Sequence, residues 1–444
     1  MIVGLRHAID NGVKPSAFWV TIFEKIYDSK SYLQNRLVRS LTHKNIPVLL
    51  TDELAEKLYG KDLRLSVSQL ETFYADPYSH FLLYGLRLQE RQIQELSALE
   101  TGNFFHDALD LIANQLVTLK TDISQLTNTE IDQITTDIFN LLLESNKYQL
   151  ARTSSRMGFI FRQLTKTVHD LVWSMVHQSK RSKLRIKDTE LLFGNIGSSK
   201  GVPGLSFPLN NGGKLELRGK IDRIDTVKVD SQLYTGIVDY KSSETKFNYQ
   251  KMYHGLMMQM ITYLDTVLTS SLEIFNEPVK PLGAFYSRVH HPFIDLKDLK
   301  NKELETELLK QYKFEGLIVN QPEVLEAVDL DLESGHSPVY PIQLLKSGKY
   351  KHNNILTEEE LELLFAFNQE MITAAGNRII SGEINLAPFD DPYLYTPSVR
   401  GSLQAISQFD ALLPENNYKD MIKLDKKEFF DRLRDKYSKK EEEN

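Results

Sequence analysis

The sequence predicts a mixed α/β (α+β) protein, in which a helical front half leads into three β-rich segments, a helix and a further strand. Three observations carry that prediction. Apolar residues recur at helix spacing between about residues 100 and 180, and from about 185 the segments become short and rich in β-formers. An amphipathic stripe then returns at 248–268, ahead of a last apolar run at 281–289.

Taken in order, residues 1–62 read as helical with an exit at Tyr59-Gly60, the remnant of a larger upstream region. In "LSVSQLETFYADPYSHFLLYGLRL" the spacing of Ser68 and Glu71 predicts a capping box and a helix start. Helices are expected at about 100–120, 129–147 and 156–180, the first with Phe105, Ala108, Leu109, Ile112 and Leu116 on one face. Three successive strands follow in "LRIKDTELLFG", "KLELRGKIDRIDTVKV" and "LYTGIVDYK", the last two joined as a hairpin across "DSQ". The segment "NYQKMYHGLMMQMITYLDTVL" carries Met257, Met260, Ile261, Leu264 and Leu268 on one stripe and predicts a single helix packed on the sheet. "PLGAFYSRV" is the fourth strand, 290–355 reads as irregular and polar, and 356–383 as a long helix. The expected organisation is thus a helical remnant (1–62), one domain (63–424) and a mixed-charge tail (425–444). Within the domain, the core comprises about 100–120 plus 185–290, with a helical arm at 355–424.

Composition narrows the chemistry. With 41% hydrophobic and 25% charged residues, the chain can bury an ordinary globular core. A formal charge of −7 gives no global attraction to nucleic acid, although a groove needs only local positive potential. No cysteine is present, which excludes disulfides, thiol nucleophiles and cysteine-held metals; any metal must bind through oxygen or histidine. The start lacks a signal-peptide apolar run and no stretch reaches spanning length, so the expectation is a cytoplasmic protein without a membrane partner. No G-x-S-x-G and no G-x-x-x-x-G-K-[ST] occur, so neither Ser-His-Asp hydrolysis nor an ATP site is supported.

One cluster does suggest chemistry. In "GIVDYKSS" the period of a strand sets Asp239 and Lys241 on the same face, together with Ile237. On the preceding strand Asp222 ends a polar face that includes Glu216, Arg218 and Lys220, and a hairpin brings it beside Asp239. Two carboxylates so placed repel unless a cation lies between them. Mg²⁺ suits hard oxygen ligands and phosphate substrates, and in phosphodiester hydrolysis it both acidifies water and neutralises charge on phosphate oxygens. Lys241 then sits where an ammonium can orient water or stabilise the transition state.

These residues closely resemble the PD-(D/E)XK nuclease superfamily, and within it the RecB-like branch. The motifs are Gly102-Asn-Phe-Phe-His106 on the first core helix, Asp222 in "GKIDRID", Asp239 and Lys241 in "VDYKSS", and Gln259 and Tyr263 as Q-x-x-x-Y on the second helix. The resemblance implies an αβββαβ core with helical additions on both sides. It also implies that His106, Asp222, Asp239 and the Tyr240 backbone carbonyl bind Mg²⁺, for which Mn²⁺ substitutes. By the same resemblance Asp222, Asp239 and Lys241 form the catalytic set, with Gln259 and Tyr263 supporting the site or contacting DNA phosphates.

Over nearly its whole length the chain is further similar to the C-terminal region of the AddB/RexB family of bacterial helicase–nuclease proteins, on "LSVSQLETFYADPYSHFLLYGLRLQER" and "TPSVRGSLQAISQFD". Many members of that family hold an iron–sulfur cluster through four cysteines, which here fall on Asp76, Ser398, Gly401 and Ser407. No cluster is expected, and Asp76, Arg400 and Phe409 are expected to form a fastening of another kind. The resemblance implies a DNA exonuclease that acts in double-strand-break resection, degrades the 5′-to-3′ strand and pairs with a motor protein of AddA/RexA type. It also implies that this chain is a fragment or an expressed domain. The alternatives are a catalytically silent DNA-binding scaffold and a stand-alone exonuclease. The basic run Lys180, Arg181, Lys183 and Arg185 reads as a solvated face rather than a DNA contact.

Overall fold

The computed structural model describes residues 7–8, 10–28, 44–89, 98–119, 121–152, 154–194, 201–294 and 304–442. Ahead of the core lie α1 (Ala17–Asp28), α2 (Asp52–Tyr59) and a short strand β1 (Leu63–Leu65). Helix α3 (Val67–Ala75) starts earlier than expected: Ser66, not Ser68, is the cap, and its reciprocal partner is Gln69, not Glu71. Gln69 N–H donates to Ser66 Oγ at 3.3 Å, and Ser66 N–H donates to Gln69 Oε1 at 2.9 Å. Both pairs share the i, i+3 spacing, so local pattern alone does not separate them. The shift frees the Glu71 carboxylate. A one-turn helix α4 (Pro77–His80) follows.

The predicted front helices are present as α5 (Ala98–Leu119), α6 (Asn128–Glu144) and α7 (Ser155–Lys180). Phe104, Phe105, Ala108, Leu109, Ile112 and Leu116 of α5 are buried in one apolar cluster with Leu171 and Val172 of α7. The sheet beneath them uses β2 (Arg185–Phe193), β5 (Gly219–Val229) and β6 (Gln232–Lys241). The expected second strand divides in two. Its first part, β4 (Lys214–Leu217), joins β1 and β3 (Ser206–Pro208) in a separate three-stranded sheet ordered β1-β4-β3. The hairpin turn at Asp230 and Ser231 has φ of 48° and 68°, the left-handed pair that suits the strand twist.

The expected single helix at 248–268 is also two, α8 (Tyr249–Tyr253) and α9 (Gln259–Thr269). Gly255 breaks it: its φ is +71°, and a Cβ there would lie 2.4 Å from the Tyr74 ring. After α10 (Ser271–Phe275), strand β7 (Lys280–Arg288) pairs in parallel with β6, completing the helix, three strands, helix, strand order. The segment read as irregular and polar contains α11 (Leu304–Gln311), β8 (Glu315–Val319) and α12 (Pro322–Val328), followed by two-residue strands β9 (Gly335–His336), β10 (Gln343–Leu344), β11 (Tyr350–Lys351) and β12 (Ile355–Leu356). Its five-residue β8 is too short to show a period in sequence, yet it extends the main sheet to the order β12-β8-β7-β6-β5-β2. Successive residues of β6 point to opposite faces, so Ile237 enters the cluster under α9 while Val238 and Tyr240 enter the cluster under α5 and α7.

The long helix α13 (Glu358–Ile380) lies against α9, where Asn368 Nδ2 donates to Thr262 Oγ1 (2.9 Å) and Gln369 Nε2 to Asp265 Oδ2 (2.7 Å). Short helices α14 (Pro397–Arg400) and α15 (Gln404–Ser407) precede α16 (Lys426–Glu442), which occupies the stretch read as a charged tail. Its Phe429 and Phe430 are fully buried, with rings 5.5 and 5.8 Å from that of Tyr249. Two adjacent phenylalanines within seventeen mostly polar residues give little amphipathic signal, but their burial docks the helix.

Asp76 and Ser398, two of the four positions where the resembling family carries cysteine, meet directly in the structure, and Ser407 joins them. Asp76 Oδ2 accepts from Ser79 N–H (2.8 Å), Ser79 Oγ (2.9 Å) and Ser398 Oγ (2.6 Å), and Oδ1 accepts from Ala387 N–H (3.0 Å). Ser407 Oγ donates to the Ser398 carbonyl, and Gly401 packs against Pro397. Phe409 flanks this network in a small cluster with Leu386 and Val399, whereas Arg400 forms a more exposed pair with Asp390 (2.9 Å). The fastening is therefore chiefly Asp76 and serines; Phe409 contributes packing and Arg400 lies outside it. Asp76→Ala would strand two backbone N–H groups and the Ser398 hydroxyl, and is expected to lower stability by about 3 kcal/mol, read as a shifted urea midpoint.

Candidate active site

The site forms where the C-terminal end of β6 meets β5, β2, α5 and α9. The β5–β6 ladder runs to Arg223 opposite Val238, so the next step sets Asp222 against Asp239. There the ladder gives way to a side chain: Tyr240 N–H donates to Asp222 Oδ2 at 3.0 Å. Asp222 Oδ1 lies 3.3 Å from His106 Nδ1, and the His106 and Tyr240 rings meet edge to face at 6.1 Å. Helix α5 is held in place for this contact one turn further on, where Asp110 Oδ1 accepts from Thr189 Oγ1 of β2 at 2.9 Å.

Asp239 and Lys241 do share a face, with Lys241 Nζ 2.7 Å from Asp239 Oδ2. Lys241 Nζ also donates to Gln259 Oε1 (2.9 Å), whose Nε2 donates to Tyr263 Oη (3.1 Å). The four residues thus form one chain from strand to helix. Burial would lower the Lys241 pKa, but the Asp239 carboxylate beside it wins and raises it, so the ammonium stays charged. Burial pushes the Asp239 carboxyl up to about 6, against the opposing pull of Lys241. His106 is likewise raised: burial opposes its charge, and the Asp222 carboxylate overcomes that.

Two residues escaped the sequence reading. Glu190 sits opposite Asp222, since Thr189 pairs with Arg223 and Leu191 with Ile221. Its φ of +54° is unusual for a glutamate in a strand and lifts it out of the ladder. One ligand atom each from His106, Glu190 and Asp222 lies within 4.8 Å of the others, a donor set that fits a divalent cation. Asp239 is outside that set; its carboxylate turns to Lys241, though Asp222 and His106 still act on it electrostatically. Asp239 Oδ2 and His106 Nδ1 are buried with only their ion-pair contacts to Lys241 and Asp222, two polar atoms that a cation would engage. Lys220 pairs with Glu190 at the edge of this group. Tyr240 meets Asp222 through its N–H.

The other is Glu71, released from the capping box. Its Oε1 accepts from the N–H groups of Met258 (2.7 Å) and Gln259 (3.1 Å), capping the first turn of α9 and so fixing the backbone of the residue that holds Lys241. Local spacing assigns it elsewhere, and only an interaction across the fold reveals this role. In the basic run at 180–185, Arg181 is taken up by Asp329 (2.9 Å) and Asp331 (3.1 Å), and Arg185 by Asp122 (2.8 Å).

Burial raises the Glu71 carboxyl to about 7, overcoming its two backbone donors. In the folded state it holds its proton at pH values where the unfolded chain has released it, so its stabilising contribution is present at low pH and is lost as pH rises toward 7. Glu71→Gln keeps an acceptor without the titration. Between about pH 5 and 8 the variant is expected to lose less stability than the wild type, by about 1 kcal/mol after discounting for partial exposure, measured as urea midpoints across pH.

The pattern of the PD-(D/E)XK nuclease superfamily matches residues 64–391. Curated relatives, each named as a component of an ATP-dependent helicase/deoxyribonuclease, include that of Latilactobacillus sakei, 38% identical over 97% of this chain and 37% of that protein, and that of Enterococcus faecalis, 37% identical over 97% and 36%. The relative from Lactiplantibacillus plantarum is 36% identical, again over 97% of this chain and 36% of its own length. The chain therefore spans a little over a third of the length of these relatives. With both its strand order and its sequence in agreement, the chain belongs to the PD-(D/E)XK nuclease superfamily.

Proposed function

We propose that the chain is the nuclease part of a helicase–nuclease, hydrolysing DNA phosphodiester bonds with Mg²⁺, or Mn²⁺ in its place. The observation that carries this reading is the Asp239–Lys241–Gln259 linkage beside the His106, Glu190 and Asp222 cluster. His106, Asp222 and Asp239 would hold the ion, with Glu190 added from this geometry and the Tyr240 carbonyl from the family likeness. When bound, it supplies an acidified water and neutralises charge on the phosphate. Lys241, kept protonated, offers N–H donors to the attacking water or to a phosphate oxygen rather than acting as a base. Gln259 and Tyr263 fix its direction, and Glu71 fixes Gln259.

The wider role rests on the relatives' printed names and on family likeness: exonucleolytic degradation of the 5′-to-3′ strand during end resection for recombinational repair. It includes a motor partner of AddA/RexA type and work in the cytoplasm. Among the described residues no helix is long and apolar enough to cross a membrane. Supplied with Mg²⁺ and single-stranded DNA, the wild type is expected to release nucleotides, while Asp239→Ala and Lys241→Ala lose at least about a hundredfold in rate. Metal-independent loss of DNA, or equal rates in all three, would sink this reading. DNA binding without cleavage would favour the silent scaffold.

A further inference from the structure

A cavity of about 270 Å³ opens beside the site and shares Lys241 with it. It lies where β6 and β7 end together, Lys241 opposite Arg288, and where β8 begins, Glu315 opposite Tyr286. Its walls carry five cations, Lys241, Lys246, Arg288, Lys310 and Lys313, against the two carboxylates Glu244 and Glu315. This local positive excess stands out in a chain of formal charge −7.

The internal pairing of these cations is incomplete. Lys246 is matched by Glu244 (2.8 Å) and Lys310 by Glu307 (2.7 Å). Arg288 reaches Glu244 only at 3.8 Å, and its Nε is buried without a hydrogen-bond partner. Lys313 has no ion pair among the described residues, and burial lowers its pKa against the opposing pull of the nearby Glu315 carboxylate, so its ammonium would gain from a further anion. A partly exposed guanidinium whose nearest carboxylate oxygen lies at 3.8 Å and a half-buried ammonium without an ion pair line the same cavity, a pairing that suits an anion.

We infer that this cavity binds a phosphate of the DNA strand next to the bond being cut, through Arg288 and Lys313, so that Lys241 touches one phosphate while its neighbour is anchored. The inference rests on the proposed DNA hydrolysis. Among the described residues the only aromatic in the wall, Tyr286, is itself buried, so no face is offered for base stacking, and the contact reads backbone charge rather than sequence. The phosphate is either an internal phosphodiester or a terminal monophosphate; both present anionic non-bridging oxygens to the two cations.

The test uses the full chain with Arg288→Gln and Lys313→Gln, singly and together, and a fluorescent single-stranded oligonucleotide without divalent metal. Each substitution is expected to weaken binding about fivefold at moderate salt, and to reduce the slope of log affinity against log salt by about 0.7. The double variant is expected to raise KM in the Mg²⁺ cleavage assay by a similar factor, with its melting temperature kept. Preference of the wild type for a 5′-phosphorylated over a 5′-hydroxyl oligonucleotide, lost in the double variant, identifies the terminal source; equal binding of both, weakened alike in the double variant, identifies the internal one. Unchanged salt slope and KM in variants of a wild type that does cleave overturns the inference. A wild type that never cleaves, while the variants still lose salt-dependent binding, defeats the proposed hydrolysis and leaves the anion site standing.

Discussion

The Lys241 ammonium, held between Asp239 and Gln259, is the interaction on which the site depends. Burying two opposite charges at a strand end gains little by itself, because desolvation offsets the attraction. The pair persists because a helix meets it: Gln259 gives the ammonium a second acceptor, and Tyr263 locks the amide of Gln259. That helix in turn needs its first N–H groups satisfied, which Glu71 does from the start of the domain. Lys241 is thus oriented by a relay that begins at a helix cap.

Sheet topology explains why charge collects at one edge. The parallel pairing of β6 and β7 brings their C-terminal ends to the same place, with Lys241 and Arg288 side by side. On the other side of β6, the antiparallel β5 and β2 bring Asp222 and Glu190 toward the same end. Deeper along β5, Arg223 and Asp225 form a buried bidentate pair (2.7 and 2.6 Å) beneath Tyr240, fixing the strand whose Asp222 contacts the Tyr240 N–H. Carboxylates and cations therefore emerge on adjacent strands, an acidic side and a basic side with Lys241 between.

The far parts of the chain brace this arrangement. Helix α13 hydrogen-bonds α9 through Thr262 and Asp265, and α16 inserts Phe429 and Phe430 against Tyr249 of α8. The Asp76, Ser79, Ser398 and Ser407 network joins segments more than three hundred residues apart in sequence, with Lys419 supplying positive charge near the buried Asp76. Short polar side chains hold this joint because each acceptor finds a donor at close range.

Much of the core was legible in the sequence. Strand and helix periods are fixed by backbone geometry, so the shared face of Asp239 and Lys241, the one-turn spacing of Gln259 and Tyr263, and the helix, three strands, helix, strand order follow from local pattern. What local pattern leaves open is which of two equivalent groups is used, and what distant chain it meets. Ser66 with Gln69 displaced Ser68 with Glu71 at the start of α3, and Glu71 then found α9, 187 residues away from it at Met258. Gly255 broke a continuous apolar stripe because Tyr74 packs against it, and the left-handed Glu190 and the unpaired Lys313 acquire meaning only beside Asp222 and Arg288. Sequence determined the elements and the spacing of the motif, because both are short-range; tertiary packing decided which charges remain unpaired, because that depends on every neighbour at once.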